Sequence, residues 1–459
     1  MMKTGWNRRD FLRGSAWMGL AAVTAGCQMA KIGMDGGAPM AGFTAPPLKR
    51  VRIGFVGVGA RGTAAVRRIC QIPGVEMTAF CDIREEAIQG CQEILKAKQL
   101  PPAKTYLGPE AYKALCRECA CDVVYACTPW MLHLPVAVEA MRCGKHALVE
   151  VPATMDVEGC WKLVETSEKT RRHCMMLENC CYGETEMLAL NMCRMGLFGE
   201  VVYGGAGYLH YSTNRGIKSG PTWRNDWYTK HAGNFYPTHG LGPVAQCMGI
   251  NRGDRFDYLV SVDTKSAGPA AMAEALFPPD AWQRNVKLMA GDYSASIIRT
   301  VNGHAIYLAT SCFVPHPYSR INMLQGTKGI FMDYPLRIAF EKQFSDGTFP
   351  DKAFDDAKTE EYRQTYKHPM WRDIGAIAQK IGGHGGMDFI MDLRWITCLQ
   401  NGLPLDMNVY DLASWSCLCE ITEKSVKTRS APVDIPDFTR GAWKTLEPLG
   451  IMTINEPVS

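Results

Sequence analysis

Three things are scarce in this chain of 459 residues: charge of one sign, apolar runs of membrane length, and paired cysteine motifs. Fifty lysines and arginines face 46 aspartates and glutamates, for a formal charge of +4. Lys3, Arg8, Arg9 and Arg13 against Asp10 account for +3 of it, leaving about +1 for everything after residue 27. So even a balance excludes a strongly basic nucleic-acid surface and gives no hold on an anionic membrane. Past the N-terminal segment, no apolar run is long enough to span a bilayer. The 19 cysteines include no two CxxC pairs at zinc-ligand spacing, and no metal is expected. A chain of this size builds two cores without a disulfide scaffold, so most cysteines are expected as buried free thiols. No internal repeat is evident.

What is present begins at Val51 to Arg68, VRIGFVGVGARGTAAVRR. Gly57, Gly59 and Gly62 stand at GxGxxG spacing between an apolar strand and an alanine-rich helix. Such glycines let the backbone turn sharply and approach a pyrophosphate, whose charge rests on the free N–H groups of the helix start. The next strand, Val75 to Asp82, ends in a carboxylate 20 residues after Gly62, where the adenosine ribose of NAD offers its hydroxyls. Arg84 keeps NADP open, although Asp82 repels a 2′-phosphate.

Ahead of this, Asn7-Arg8-Arg9-Asp10-Phe11-Leu12 and the apolar run Ala16 to Ala25 resemble a twin-arginine export signal. That route carries folded proteins, which suits a chain that takes up a nucleotide before crossing, and implies a periplasmic or membrane-anchored location. Thr24-Ala25-Gly26-Cys27 offers a lipoprotein cleavage site, but Val23 and Thr24 fit the usual leucine-bearing pattern poorly. A lipid anchor at Cys27 therefore stays open. The organisation read from the chain is a signal over 1–27, a linker over 28–48, a Rossmann dinucleotide-binding domain over 49–182, and an α+β domain with a largely antiparallel sheet over 183–459.

Within the first domain, strands and helices alternate, as a parallel sheet covered on both faces requires. Strands at Cys121–Cys127, Lys145–Glu150 and His173–Glu178 place Trp130, His133, Glu150, Val151 and Asn179 at or just beyond carboxyl ends, where ligands of such sheets bind. Strand-like segments then follow at Val201–Tyr211, Tyr258–Val262, Ser294–Thr300, Ala305–Phe313 and Asn322–Phe331. Residues 340–372 read as polar and irregular, with helices at Asp388–Leu399 and Val409–Glu423.

A second constellation lies in Asn234 to Gln246, NFYPTHGLGPVAQ. Tyr236 and His239 are three residues apart, fixed by Pro237, Thr238 and glycines; imidazole titrates near neutrality and a phenol in reach can relay a proton. Arg224 is a donor suited to hydroxyls or an acetamide oxygen. Tyr208 and Tyr318 are aromatics at strand ends, the usual lining of small-molecule clefts. Taken singly, each is more often structural than functional. His384, in Gly382-Gly-His-Gly-Gly-Met-Asp388, reads as the start of a helix.

Together, IGFVGVGARG, CTPWMLH, VEVPAT and FYPTHGLGPVAQCMGINRGDRFDYL resemble glycoside hydrolase family 109, the NAD-dependent α-N-acetylgalactosaminidases. These belong to the wider glucose–fructose oxidoreductase and inositol dehydrogenase superfamily. The likeness runs from the signal to about residue 330 and resumes in GGHGGMDF. It implies NAD contacts at Ala60, Arg61, Asp82, Trp130 to His133, Glu150, Val151 and Asn179, and sugar contacts at Tyr208, Arg224, Tyr236 to His239 and Tyr318. The superfamily's dehydrogenases usually carry Glu-Lys-Pro where this chain has Glu150-Val151-Pro152, and that lysine assists alcohol oxidation.

The chemistry implied by the resemblance is redox-neutral. Hydride leaves C3 of the sugar for a tightly bound NAD, the acidified C2 proton is lost with the C1 substituent, water adds, and the hydride returns. His239 is the expected acid or base at the C3 hydroxyl with Tyr236 beside it, and Tyr182 is a candidate for the C2 proton. The implied substrate is a glycan or glycoconjugate ending in N-acetylgalactosamine. Two other readings are a sugar or inositol dehydrogenase and a non-catalytic exported sugar-binding protein; assembly as a homo-oligomer is also open.

Overall fold

The computed structural model describes residues 38–212, 222–341 and 354–454. The expected signal, Cys27 and the linker up to residue 37 lie outside the described residues.

Six strands form the first sheet: β1 (Val51–Val56), β2 (Val75–Asp82), β3 (Lys104–Leu107), β4 (Val123–Ala126), β5 (His146–Val149) and β6 (Cys174–Met176). They run parallel in the order β3-β2-β1-β4-β5-β6. Every residue of β4, β5 and β6 is buried, as strands covered on both faces must be. The helices between them are α1 (Ala60–Ile69), α2 (Glu85–Ala97), α3 (Ala111–Glu118), α4 (Trp130–Arg142) and α5 (Val157–Thr170). The order reverses between β1 and β4, which opens a crevice beyond their carboxyl ends. The edge strand β3, too short and polar to stand out in the sequence, is an addition to the expected set.

A short turn of 3-10 helix, Asn179–Tyr182, leads through α6 (Glu184–Arg194) into the second sheet. Its strands are β7 (Val201–Leu209), β8 (Phe256–Asp263), β9 (Ser294–Thr300), β10 (Ala305–Ser311), β11 (Met323–Gly326), β12 (Gly329–Met332), β13 (Arg337–Phe340) and β14 (Val433–Asp434). The order is β13-β12-β11-β7-β10-β9-β8-β14, and only the β7–β10 pair is parallel. The expected single strand over Asn322–Phe331 is a hairpin, turning at Thr327-Lys328. Between β7 and β10 the chain makes α7 (Trp223–Lys230), α8 (Thr238–Cys247) and α9 (Gly268–Leu276).

Helix α8 lies against β7 with no room for a side chain between them. A Cβ on Gly240 would sit 2.1 Å from the Gly207 nitrogen, and one on Gly204 of β7 would press on Val244 of α8 at 2.5 Å. Glycines on both elements thus carry His239, at the second position of α8, up to Tyr208 on β7.

The chain ends in α10 (Asp356–Thr365), α11 (Pro369–Ile381), α12 (Met387–Asn401), α13 (Val409–Ser416) and α14 (Leu418–Lys427), so the stretch expected to be irregular is helical from residue 356. Helix α12 packs on α1 and β1, and α13 on α5 and β6, while α14 covers β8. The division at residue 182 separates the two sheets, yet α12 and α13 return to the first. All described cysteines are free thiols and most are buried.

Candidate active site

One cavity of about 890 Å³ opens at the β1/β4 crevice and runs under the second sheet. Ala60, Arg61, Trp130, His133, Glu150, Val151 and Asn179 line one side; Tyr208, Arg224, Tyr236, His239 and Tyr318 line the other. Gly57, Gly59, Gly62 and Asp82 form the turn and strand end beside it. Gly57 has φ +85°, and its Cβ would fall 2.6 Å from the Cys127 carbonyl oxygen; a Cβ on Gly62 would fall 2.1 Å from that of Gly57. Among the described residues no side chain caps α1 at Gly59, which leaves the helix start for a phosphate. Asp82 accepts hydrogen bonds from the backbone N–H groups of Val58 and Arg84 at 2.9 and 3.0 Å, which fixes its carboxylate at the end of β2. These residues fit a dinucleotide.

Beyond the helix start, the wall is a lattice of paired charges. Arg61 donates from Nε to Glu150 at 2.5 Å and from Nη1 to Asp388 at 2.8 Å. Burial opposes the Arg61 charge, but the two carboxylates outweigh it and hold the guanidinium above its ordinary value. Asn179 donates from Nδ2 to the other Asp388 oxygen at 2.5 Å. One helical turn further in, Asp392 accepts from Arg68 Nε at 3.0 Å; burial, with Asp388 nearby, pushes its carboxyl up to about 6 despite Arg68. His133 is spent on backbone: its two nitrogens lie 2.7 and 2.8 Å from the carbonyl oxygens of Pro152 and Thr128, and burial lowers its pKa.

On the opposite side His239 Nδ1 lies 2.7 Å from Glu178 Oε1. Glu178 follows β6 and is completely buried; burial disfavours its charge, but His239 outweighs that and holds the carboxyl below its ordinary value. An ionised carboxylate only accepts, so Nδ1 is the donor and Nε2 keeps its lone pair for the cavity that the ring lines. The rings of Tyr236 and Tyr208 stand edge-on to the imidazole at 4.7 and 5.2 Å. Arg224 stacks between Trp130 and Trp223 at 4.6 and 4.5 Å, and its Nη1 is buried without a hydrogen-bond partner among the described residues. The Tyr318 hydroxyl accepts from Arg320, itself paired with Glu186.

Pro237 and Thr238 are not on the cavity wall; Thr238 is fully buried and both serve to place His239. Tyr182 is a correction. It lies in the interior, its hydroxyl donating to Asp406 at 3.1 Å beside the buried Arg394–Asp406 pair, so it reaches no substrate proton. Glu178, Asp388, His210 and Tyr334 line or support the cavity without having been singled out for it. The glycine-dense GGHGG run was the one sequence signal for Asp388; Glu178 had none beyond its place at a strand end.

Glu178, Cys180 and His239 bring donor atoms within 4.8 Å of one another, a grouping a metal could use. Burial, however, pushes the Cys180 thiol far up, and it donates to Asn179 Oδ1 at 3.7 Å, whereas coordination needs a thiolate. The carboxylate–imidazole pair is complete without it.

A glycine turn at a sheet switch point, a ribose-side carboxylate and an imidazole facing them across one cavity define an NAD-binding oxidoreductase-type protein with an added substrate domain. Residues 51–178 match the sequence profile described as oxidoreductase family, NAD-binding Rossmann fold, and residues 182–445 that of the glycosyl hydrolase 109 C-terminal domain. The chain is 42% identical to an alpha-N-acetylgalactosaminidase of Shewanella oneidensis, over 97% of this chain and 99% of that protein. It is also 42% identical, with the same coverage, to a glycosyl hydrolase family 109 protein of Shewanella sp. strain ANA-3. This chain belongs to glycosyl hydrolase family 109. Among solved structures, it superposes on a levoglucosan dehydrogenase in complex with NADH and levoglucosan, with TM-score 0.63 and 17% identity, covering 84% of this chain and 100% of that one. A scyllo-inositol dehydrogenase from Lactobacillus casei with bound NAD(H) and scyllo-inositol gives TM-score 0.59 at 12% identity, covering 84% and 99%. At such identities the likeness is one of fold.

Proposed function

We propose that the enzyme removes terminal α-linked N-acetylgalactosamine from glycans or glycoconjugates by oxidation, elimination, water addition and reduction, keeping its NAD throughout. The observation that carries this reading is the His239–Glu178 pair, which faces the nucleotide side of the same cavity. NAD, when bound, supplies the acceptor for the C3 hydride and the donor for its return. His239 Nε2 takes the C3 hydroxyl proton as the hydride leaves and gives it back on reduction. Glu178 steadies the imidazolium formed between those steps. Val151 has no amine to share this task, which leaves it to His239. Arg224 Nη1 is a donor for the acetamide or a ring hydroxyl. Hydrolysis by two carboxylates needs both free to flank the scissile bond, whereas Glu178 is shut behind the imidazole and the glutamates on the cavity wall are tied to cations: Glu150 to Arg61, Glu186 to Arg320, and Glu184 to Arg363 and Lys367.

The N-terminal RRDFL segment supports export by the twin-arginine route, to the periplasm or a membrane-anchored position; fractionation of cells carrying the chain with and without Arg8 and Arg9 tests it. The reaction itself is tested with purified enzyme, 4-nitrophenyl α-N-acetylgalactosaminide and no added cofactor. Nitrophenol release without net NADH accumulation is expected. No release, but NADH formation from added NAD and free sugar, would instead mean a dehydrogenase.

A further inference from the structure

We propose that the outer end of the cavity, at Tyr334, is a leaving-group subsite that holds a neutral hexopyranose, the residue to which N-acetylgalactosamine is joined. The inference rests on the glycosidase reading above and deepens it by naming what the sugar is cut from.

One sugar does not use the whole wall. The rings of His239, Tyr208, Tyr318 and Tyr334 follow one another along the cavity with centroids 5.2, 6.2 and 5.9 Å apart, each step about the width of a pyranose. Among the described residues the Tyr334 ring meets one other ring, that of Tyr318, so the run leads away from the imidazole. A sugar that gives its C3 hydroxyl to His239 covers Tyr208 and reaches Tyr318. Its C1 substituent, on the far side of C2, then comes under Tyr334.

Tyr334 is held ready for such a group. It sits in the turn between β12 and β13 at φ +67°, left-handed and costly for a residue with a side chain. Asp333 fixes that turn: one carboxylate oxygen accepts the Tyr334 N–H at 2.6 Å, and the other accepts the hydroxyl of Thr185, in the first turn of α6, at 2.5 Å. The Arg320 guanidinium lies over the Tyr318 and Tyr334 rings, 5.5 Å from each centroid, and stiffens both. Burial, with Glu186 nearby, pushes the Tyr334 phenol up, so it stays protonated, and no described residue takes its hydroxyl. A neutral phenol both donates and accepts, as a sugar hydroxyl requires, and its ring offers apolar surface to the C–H face of a pyranose.

The charges at this end are already matched. Arg320 donates from Nε to Glu186 at 2.8 Å and from Nη1 to the Tyr318 hydroxyl at 2.9 Å. Glu184, on the same wall, is paired with Arg363 and Lys367 at 3.3 and 3.0 Å. Among the described residues this leaves no spare cation here for an acidic sugar or a phosphate, and an uncharged ring is the partner that fits.

The test uses purified full-length enzyme with its NAD and compares methyl α-N-acetylgalactosaminide, serine-linked α-N-acetylgalactosamine, and N-acetylgalactosamine α-linked to galactose. Released N-acetylgalactosamine is counted, and the readout is kcat/KM for the disaccharide divided by that for the methyl glycoside. Tyr334→Ala is expected to lower this ratio about tenfold, and Tyr334→Phe, which keeps the ring and loses one hydrogen bond, roughly threefold, mainly through the disaccharide KM. Should Tyr334→Ala not fold, Tyr334→Phe decides alone. The serine glycoside, which has no second ring, should follow the methyl one; a loss equal to that of the disaccharide would overturn the hexose in favour of a peptide. Wild type that does not favour the disaccharide, or an unchanged ratio in the folded variants, would overturn the subsite and leave the glycosidase reading standing. Wild-type enzyme that cleaves none of these glycosides would overturn the function reading, and the subsite with it.

Discussion

On the nucleotide side of the cavity, Arg61, Glu150, Asn179 and Asp388 are tied to one another at 2.5 to 2.8 Å, whereas the facing side presents Tyr208, Tyr236, His239 and Tyr318 in tilted and edge-to-face ring contacts with one carboxylate behind His239. Charges paired on every side hold still, as binding of a resident cofactor requires. An imidazole set on a buried carboxylate is oriented to receive a proton at Nε2, as catalysis requires. The buried carboxyls differ by their partners: Glu178 with His239 and Asp388 with Arg61 and Arg68 are held down, whereas burial drives Asp392, one turn further in, up to about 6 despite Arg68.

That contrast can be broken most severely at His239. His239→Ala should cut kcat by roughly 10² to 10⁴-fold and leave NAD binding intact, read by turnover and nucleotide content in parallel. Loss of NAD together with activity would mean that the two sides are not separate in function. Glu178→Gln should come next, lowering kcat on the order of tenfold to a hundredfold. Its folded carboxyl titrates below its unfolded value, so its contribution to stability is present above about pH 4 and lost as pH falls through the folded value. The melting-temperature gap between wild type and Glu178→Gln should therefore close in acid. Arg224→Met removes the unpartnered donor and should raise the sugar KM roughly tenfold with a smaller change in kcat. Asp392→Asn is the mildest. A raised carboxyl favours the folded state at low pH and loses that advantage as pH rises through about 6. Wild type should fall relative to Asp392→Asn by a few degrees in melting temperature between about pH 4 and 7.

Features that depend on near neighbours were legible in the chain. The glycine turn after β1, the acid ending β2 and the Tyr236–His239 pair each lie within one turn or strand, and local rules reach that far. Asp388 was not legible, because its meaning comes from partners more than two hundred residues away that α12 meets only once folded. Tyr182 shows the converse error: closeness to Asn179 in sequence says nothing about direction, and the buried Arg394–Asp406 pair draws the phenol inward. Glu178 was hidden for a third reason, since a carboxylate closing an apolar strand reads as a boundary until an imidazole is found against it.

The approach of α8 to β7 has a meaning for anyone wishing to redesign this enzyme. A side chain at residue 240 would run into the backbone of residue 207, so a library varied at 240 would return only glycine. With no side chain between the two elements, nothing there can be trimmed or enlarged to slide His239 nearer to Tyr208 or farther from it. New sugar preferences must be sought at the rim, in Arg224, His210, Tyr318 and Tyr334, where one wall can be recut without moving the other.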